Sequence, residues 1–504
     1  MIGFAYANAM VMIVLIGFLP LSLIVFRLLP VPVAALALLL GGEMFLPAGG
    51  AIDLPGLPAM GKDLLVYTTV FACLILYQPR RLLAARPGTS LEILGVLMAL
   101  GGIATVFTNM DALRYGPTAV QAMSPSEAPT AALEDLLAFA VPFLLGRALH
   151  RDLRDLRRLL TALTLAGLVY SVFGLIEMRL SPQFHNWVYG FIPIGFDTAW
   201  RLGGYRPMVF MANGLAYSIF MATMMLASVA LARVRMPVLG FPSRPIAAYL
   251  FAMVILTRSL AVMVFGTLLA PVVALLRPIW IARIALVMAL LVMTYPLLRL
   301  ANLVSWEPVV AIAEDIDPER ARSLEGRFEV EGKLLDKARE RFAFGWGGYS
   351  RNWVFDPETG KRAVIPDGYW VLKLGARGLV GFVTDFGLCV IPIVVALRRL
   401  RRVRSRQEQA LLAALMLIIA LRLVDWIPNG RWSSLPTFLA GALHSCSYAM
   451  ARSRARSPER SVSEPRGVET FPLPAVAATA APVEKKVPRR MSDTLRRAPE
   501  ENGE

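Results

Sequence analysis

Apolar runs of membrane-crossing length recur along this chain, interrupted by short arginine clusters and by one long hydrophilic segment at residues 300 to 366. A helix needs about 20 predominantly apolar residues to cross the hydrocarbon core, where every backbone N–H and C=O must be satisfied internally. Hydrophobic residues fill 56% of 504 positions, which allows such runs to repeat many times. The expected fold class is an all-α polytopic membrane protein with about 12 to 13 transmembrane helices and one large loop.

The predicted spans are 4–26, 31–47, 63–78, 91–108, 131–146, 158–178, 208–231, 246–257, 260–276, 284–300, 369–397, 408–427 and 433–450. The stretch 246–276 reads as two short helices, because Thr257-Arg258-Ser259 lies at its middle. An arginine at the bilayer centre costs at least about 2.5 to 3.5 kcal/mol, and a break there brings Arg258 to a water interface.

Charge assigns the faces. Arg80 and Arg81; Arg147, Arg151, Arg154, Arg157 and Arg158; Arg233, Arg235 and Arg244; Arg277 and Arg283; and the run Arg398 to Arg406 then share one side, the cytoplasm. The segments 109–130, 179–207, the turn at Arg258 and 300–366 share the other, which in a bacterium would be the periplasm. The net charge of +16 is thus read as topology and contact with anionic lipid, not nucleic-acid binding.

The domain plan is a transmembrane body over 1–450 and a basic, disordered cytoplasmic tail over 451–504, rich in Arg, Ser, Pro, Glu and Ala. Cys73, Cys389 and Cys446 have neither disulfide nor zinc spacing. The first apolar run lacks a basic leader and a small-residue cleavage site, so no cleavable signal peptide is expected. No internal repeat and no P-loop or dinucleotide glycine motif is found, and no metal or cofactor is expected.

Several constellations could carry chemistry. Trp200-Arg201-Leu202-Gly203-Gly204-Tyr205-Arg206 precedes Asn213-Gly214-Leu215-Ala216; guanidinium groups beside glycines suit phosphate, while Trp and Arg also serve as interfacial anchors. Arg258 faces the same compartment; taken alone it reads as a snorkelling side chain. In the large loop, Arg327 leads into an amphipathic helix from Phe328 to Phe342, then into Phe344-Gly345-Trp346-Gly347-Gly348-Tyr349. Aromatic rings beside glycines suit sugar stacking, or a tight surface turn. Asp367 stands at the entrance of the next helix, either as an N-cap or as a general base. Arg422 and Asp425 are spaced to pair. Asp315-Ile316-Asp317 reads as an acidic loop, and His185 as structural.

In their order, these pieces resemble the O-antigen ligase and polysaccharide polymerase family of bacterial envelope glycosyltransferases, over roughly residues 160–400. The matching residues are Arg201 to Gly204 leading to Asn213 to Ala216, Leu256-Thr257-Arg258-Ser259, Arg327 with its helix, Phe344 to Gly347, and Gly375 to Gly381. The resemblance implies a GT-C-like, metal-independent enzyme that moves glycan from an undecaprenyl-diphosphate carrier to an acceptor hydroxyl. Where the ligases have His-Asn, this chain has Asp367-Gly368, which favours a polymerase or exopolysaccharide relative.

It implies that Arg258 and Arg327, with Arg201 or Arg206, neutralise the diphosphate, and that Asp367 orients or deprotonates the acceptor. Asn213 belongs to the substrate site, and Trp346 and Tyr349 stack on the glycan. The partners are the lipid-linked glycan, a sugar acceptor and membrane lipid, with room for a chain-length or export partner. This reading requires the arginines to converge within about 10 Å, the Debye length. The rival is a flippase or transporter, which calls for repeats, broken helices and charged residues near the bilayer midplane; the sequence reads as largely lacking these.

Overall fold

The structure is a computed structural model that describes residues 8–85, 89–195, 199–316, 318–364 and 367–455. Among the described residues, each of the thirteen expected spans overlaps a helix. These are α1 (Ala9–Leu28), α2 (Val31–Phe45), α3 (Lys62–Tyr77), α4 (Thr89–Phe107), α5 (Pro125–Leu149), α6 (Leu153–Leu180), α7 (Gly214–Arg233), α8 (Ser243–Leu256), α9 (Leu260–Leu275) and α10 (Pro278–Leu300). After the loop helix α11 (Pro318–Glu340) come α12 (Tyr369–Leu400), α13 (Arg406–Asp425) and α14 (Leu435–Ala455). Seven of them, α1, α5, α6, α7, α10, α12 and α13, are long and apolar enough to cross a membrane. The only strands among the described residues form three short two-stranded hairpins.

Burial sorts the helices into centre and rim. In both α7 and α13, 78% of the most apolar stretch is buried, against 28% in α1. On α1 the side chains of Ile13, Ile16, Leu19, Leu23 and Ile24 are exposed, and Val169, Val172, Leu175 and Ile176 form a similar strip on α6. Aliphatic strips of this extent are incompatible with contact to water and fit lipid chains.

The arginine-bearing ends gather at one end of the bundle. Arg151 Nη2 donates to the Arg81 carbonyl at 2.7 Å, and Arg147 Nε to that of Ala85 at 2.8 Å. Arg233 Nη1 donates to the carbonyl of Val273 at 2.6 Å. The expected break between α8 and α9 is present, with Arg258 at φ 56° between them.

Boundaries moved where local chemistry decided them. α7 starts at Gly214 rather than 208, because Asn213 caps it: Asn213 Oδ1 accepts from Ala216 N at 2.8 Å. α11 starts ten residues before Phe328, at Pro318, a residue suited to the first helical turn. α14 continues to Ala455, and the remainder of the expected tail, 456–504, lies outside the described residues, as do Asp317 and Pro366.

The helix α12 is broken at Gly378, whose φ of 64° and ψ of −166° lie in a region open essentially to glycine alone. The broken ladder is repaired from the loop. Leu379 N donates to Phe342 O at 2.8 Å and Val380 N to Ala343 O at 3.2 Å; Trp346 N reaches Gly375 O at 2.8 Å and Gly347 N reaches Ala376 O at 2.9 Å. Phe344 to Gly347 and Gly375 to Gly381, two separate motifs in the sequence, are therefore the two halves of one backbone joint.

Candidate functional site

Residues 200–205 form a hairpin that pairs Trp200 with Tyr205 and Arg201 with Gly204. Leu202 and Gly203 both have positive φ, 48° and 73°, the pattern of a two-residue primed turn. This turn presents its carbonyls to the α8–α9 corner, and Arg258 Nη1 donates to Leu202 O. The guanidinium lies directly on Gly204, where any side chain would collide with it. Arg206 Nη2 donates to the Ser259 hydroxyl, while its stem lies on Gly214, where a Cβ would come within 2.8 Å of Cγ. Gly204 and Gly214 thus each make room for one arginine, while Gly203 serves the turn.

The cations here are crowded. Burial and the adjacent Arg201 charge both pull the Arg206 guanidinium below its ordinary pKa. Its Nε is buried without a hydrogen-bond partner, and no carboxylate among the described residues pairs with Arg201, Arg206 or Arg258. Guanidinium groups so placed have N–H donors of the kind that anions accept from.

Arg327 and Asp367 stand together elsewhere. Arg327 Nε lies 3.9 Å from Asp367 Oδ2, with both side chains more than half exposed. Asp367 does not cap α12: the cap is Gly368, with no side-chain hydrogen bond. Among the described residues, no hydrogen bond or ion pair joins this couple to the Arg201, Arg206 and Arg258 group.

Trp346 and Tyr349 separate in role. Trp346 is 4% exposed, and its ring lies 3.6 Å from Lys337 Nζ and 4.2 Å from the Arg341 guanidinium carbon. Its Nε1 donates to Lys337 O at 2.6 Å. Those contacts hold the ring against the end of α11 and leave it no free face for a glycan. Tyr349, 41% exposed, lines a cavity of about 710 Å³.

The strongest buried chemistry was not singled out from sequence. Lys373 Nζ lies 2.9 Å from Asp135 and 2.7 Å from Asp385. Arg377 reaches Asp135 and Glu134, each at 2.9 Å, and Tyr369 OH donates to Asp385 at 3.0 Å. This network straddles the Gly378 break, with Tyr369, Lys373 and Arg377 before it and Asp385 after it, so the chain has a broken helix, contrary to the sequence expectation, and buried charge inside helices. Asp385 is an isolated carboxylate within an apolar run, and Glu134-Asp135 is an acidic pair within another, which was the available signal.

A second cavity, of about 380 Å³, is lined by Asn213, Lys62, Glu43, Asp63, Arg422 and Arg431 among others. Arg422 and Asp425 both line it but form no direct ion pair; Asp425 instead accepts from Asn429 Nδ2 at 2.6 Å, and Arg422 Nε is unpartnered.

The loop is held down by Arg351, 0% exposed, which donates to Asp111 O at 2.7 Å, Gln121 O at 2.9 Å and Asp111 Oδ1 at 3.1 Å. His185 is structural: its Nε2 accepts from Ala48 N at 3.2 Å and its Nδ1 donates to Phe191 O at 2.9 Å. Burial pushes its pKa down to about 4, so it is neutral near pH 7. Compared with known proteins, the chain matches no protein family and no curated protein.

Proposed function

We propose that this chain is a membrane glycosyltransferase that moves or polymerises glycan from an undecaprenyl-diphosphate carrier onto a sugar hydroxyl, acting at the periplasmic face of a bacterial inner membrane. The observation that carries the reading is the group Arg201, Arg206 and Arg258, gathered on Gly204 and Gly214 without a carboxylate among the described residues. In the reaction, the acceptor oxygen attacks the anomeric carbon and the bond from that carbon to the diphosphate oxygen breaks. The electron pair leaves on the diphosphate, which the arginines neutralise, and the hydroxyl proton passes to Asp367. Preorganised donors of this kind act without protonating the leaving group.

A transporter is the second reading, favoured by the break at Gly378 beside the Lys373, Arg377, Asp135 and Asp385 network. The test is complementation of a deletion strain with Arg258→Ala, Arg327→Ala and Asp367→Asn, scoring long glycan by gel alongside membrane expression. The transferase reading expects normal expression, loss of long glycan, and lipid-linked single repeats that an added glycosidase reaches from outside spheroplasts. Unchanged glycan refutes the site, and repeats protected inside the cell favour the transporter.

A further inference from the structure

The cavity of about 710 Å³ beside Tyr349 carries a separate assignment. Five stretches of chain build it, contributing Asp53, Glu127 and Glu134, Tyr349, Lys373 and Arg377, and Trp432. Its volume falls in the range of about 300 to 1,000 Å³ usual for small-molecule sites.

Charge decides what it can hold. Four carboxylates line it, Asp53, Glu127, Glu134 and Asp135, against two cations, Lys373 and Arg377. Both cations are already held by Asp135, with Arg377 also on Glu134, so neither is free for an anion. A diphosphate would meet Asp53 and Glu127, which no ion pair among the described residues balances, and is repelled. A saccharide meets the groups it needs: acceptors for its hydroxyls and rings for its C–H face. Trp432 Nε1, in the cavity wall, is a buried donor with no acceptor. At the rim, Tyr349 and Ser350 are consecutive non-glycine residues at φ 56° and 60°, strain of the kind that collects at ligand clamps.

We infer that this cavity is the acceptor-sugar subsite, taking a neutral or amino-bearing saccharide, while the diphosphate belongs to the arginines at Gly204. The inference rests on the transferase reading for the word acceptor, but saccharide binding can be measured without turnover. The probes are cellobiose, chitobiose, lactose, mannobiose, rhamnose, glucosamine and inorganic pyrophosphate, applied to full-length protein in nanodiscs and followed by saturation-transfer NMR.

The expected result is saturable binding of at least one saccharide, weakened at least about tenfold by Tyr349→Ala and by the near-isosteric Glu127→Gln, and unchanged by Arg258→Ala. Pyrophosphate should not compete. Absence of binding across the saccharides, binding indifferent to both cavity variants, or competition by pyrophosphate overturns the assignment. If binding behaves as expected while Arg258→Ala leaves cellular glycan intact, the saccharide site stands and the transferase reading falls.

Discussion

Gly345 packs on the backbone of Gly378, so closely that a methyl group on Gly345 would lie 2.6 Å from the Gly378 nitrogen. Both have positive φ, 71° and 64°. The large loop is therefore docked into a break in α12, and the geometry of the loop depends on that of the helix.

Substitution at this joint tests it directly. Gly345→Ala and Gly378→Ala each add backbone strain on the order of 1 to 3 kcal/mol, before any clash is counted. Both should lower the melting temperature of the detergent-solubilised protein and its recovery as a monodisperse peak. Gly348→Ala is the control, since a Cβ there meets nothing within 4 Å. Equal behaviour of the three variants would show that the joint is not needed.

The pair Arg327 and Asp367 should separate stability from activity. An ion pair between exposed side chains contributes about 0 to 1 kcal/mol. At 3.9 Å and more than half exposed on both sides, this one belongs to that class. Asp367→Asn should leave the melting temperature within about a degree or two while abolishing long glycan. A variant that melts early, or one that still makes long glycan, removes Asp367 from the role of base.

The spans were legible because apolar length and arginine spacing are local properties, and the corner at Arg258 was legible because a charge interrupts an apolar run. The grouping of Arg258 with Arg201 and Arg206 followed from glycines whose purpose only the structure supplies. The network at Lys373 was not legible. Its partner Asp135 lies 238 residues away, and no local period encodes such a pairing. Trp346 misled for a different reason: the motif reads as a stacking platform, but Lys337 and Arg341, only nine and five residues earlier, fold back to occupy its ring.

Acid should weaken the structure through His185. Burial lowers its pKa in the folded chain to about 4, against an ordinary value near 6.5. Between those values the unfolded chain binds more protons, so stability rises with pH across that window and is progressively lost as pH falls through it. His185→Gln should show a shallower loss between about pH 6.5 and 4 than the wild type. Parallel curves would place the acid sensitivity elsewhere.

Asp111 should act lower on the scale. Its slight burial raises the carboxyl pKa, but Arg341 and Arg351 outweigh this and hold it below the ordinary carboxylate range. A depressed folded pKa gives stability that is present above the unfolded value, near 3.9, and is lost as pH falls below it. Asp111→Asn should thus be less stable than wild type by a constant margin from about pH 7 to 5, narrowing below about pH 4. A margin already shrinking at pH 6 would contradict the pairing.

The network on α12 allows a sharper test, because removing one member and removing two have opposite expectations. Lys373 balances Asp385 while Asp135 retains Arg377, so Lys373→Met leaves Asp385 buried and unopposed. Breaking a buried pair in this way costs about 3 to 5 kcal/mol. The double variant Lys373→Met/Asp385→Leu removes both charges and leaves the Asp135–Arg377 pair in place, so it should recover most of the lost melting temperature. Recovery of folding without recovery of glycan would mark the network as part of the working site. Recovery of both would make it a structural support beneath the cavity, and failure of the double variant to recover folding would mean that Asp385 is needed beyond its pair with Lys373, as the acceptor for Tyr369 OH.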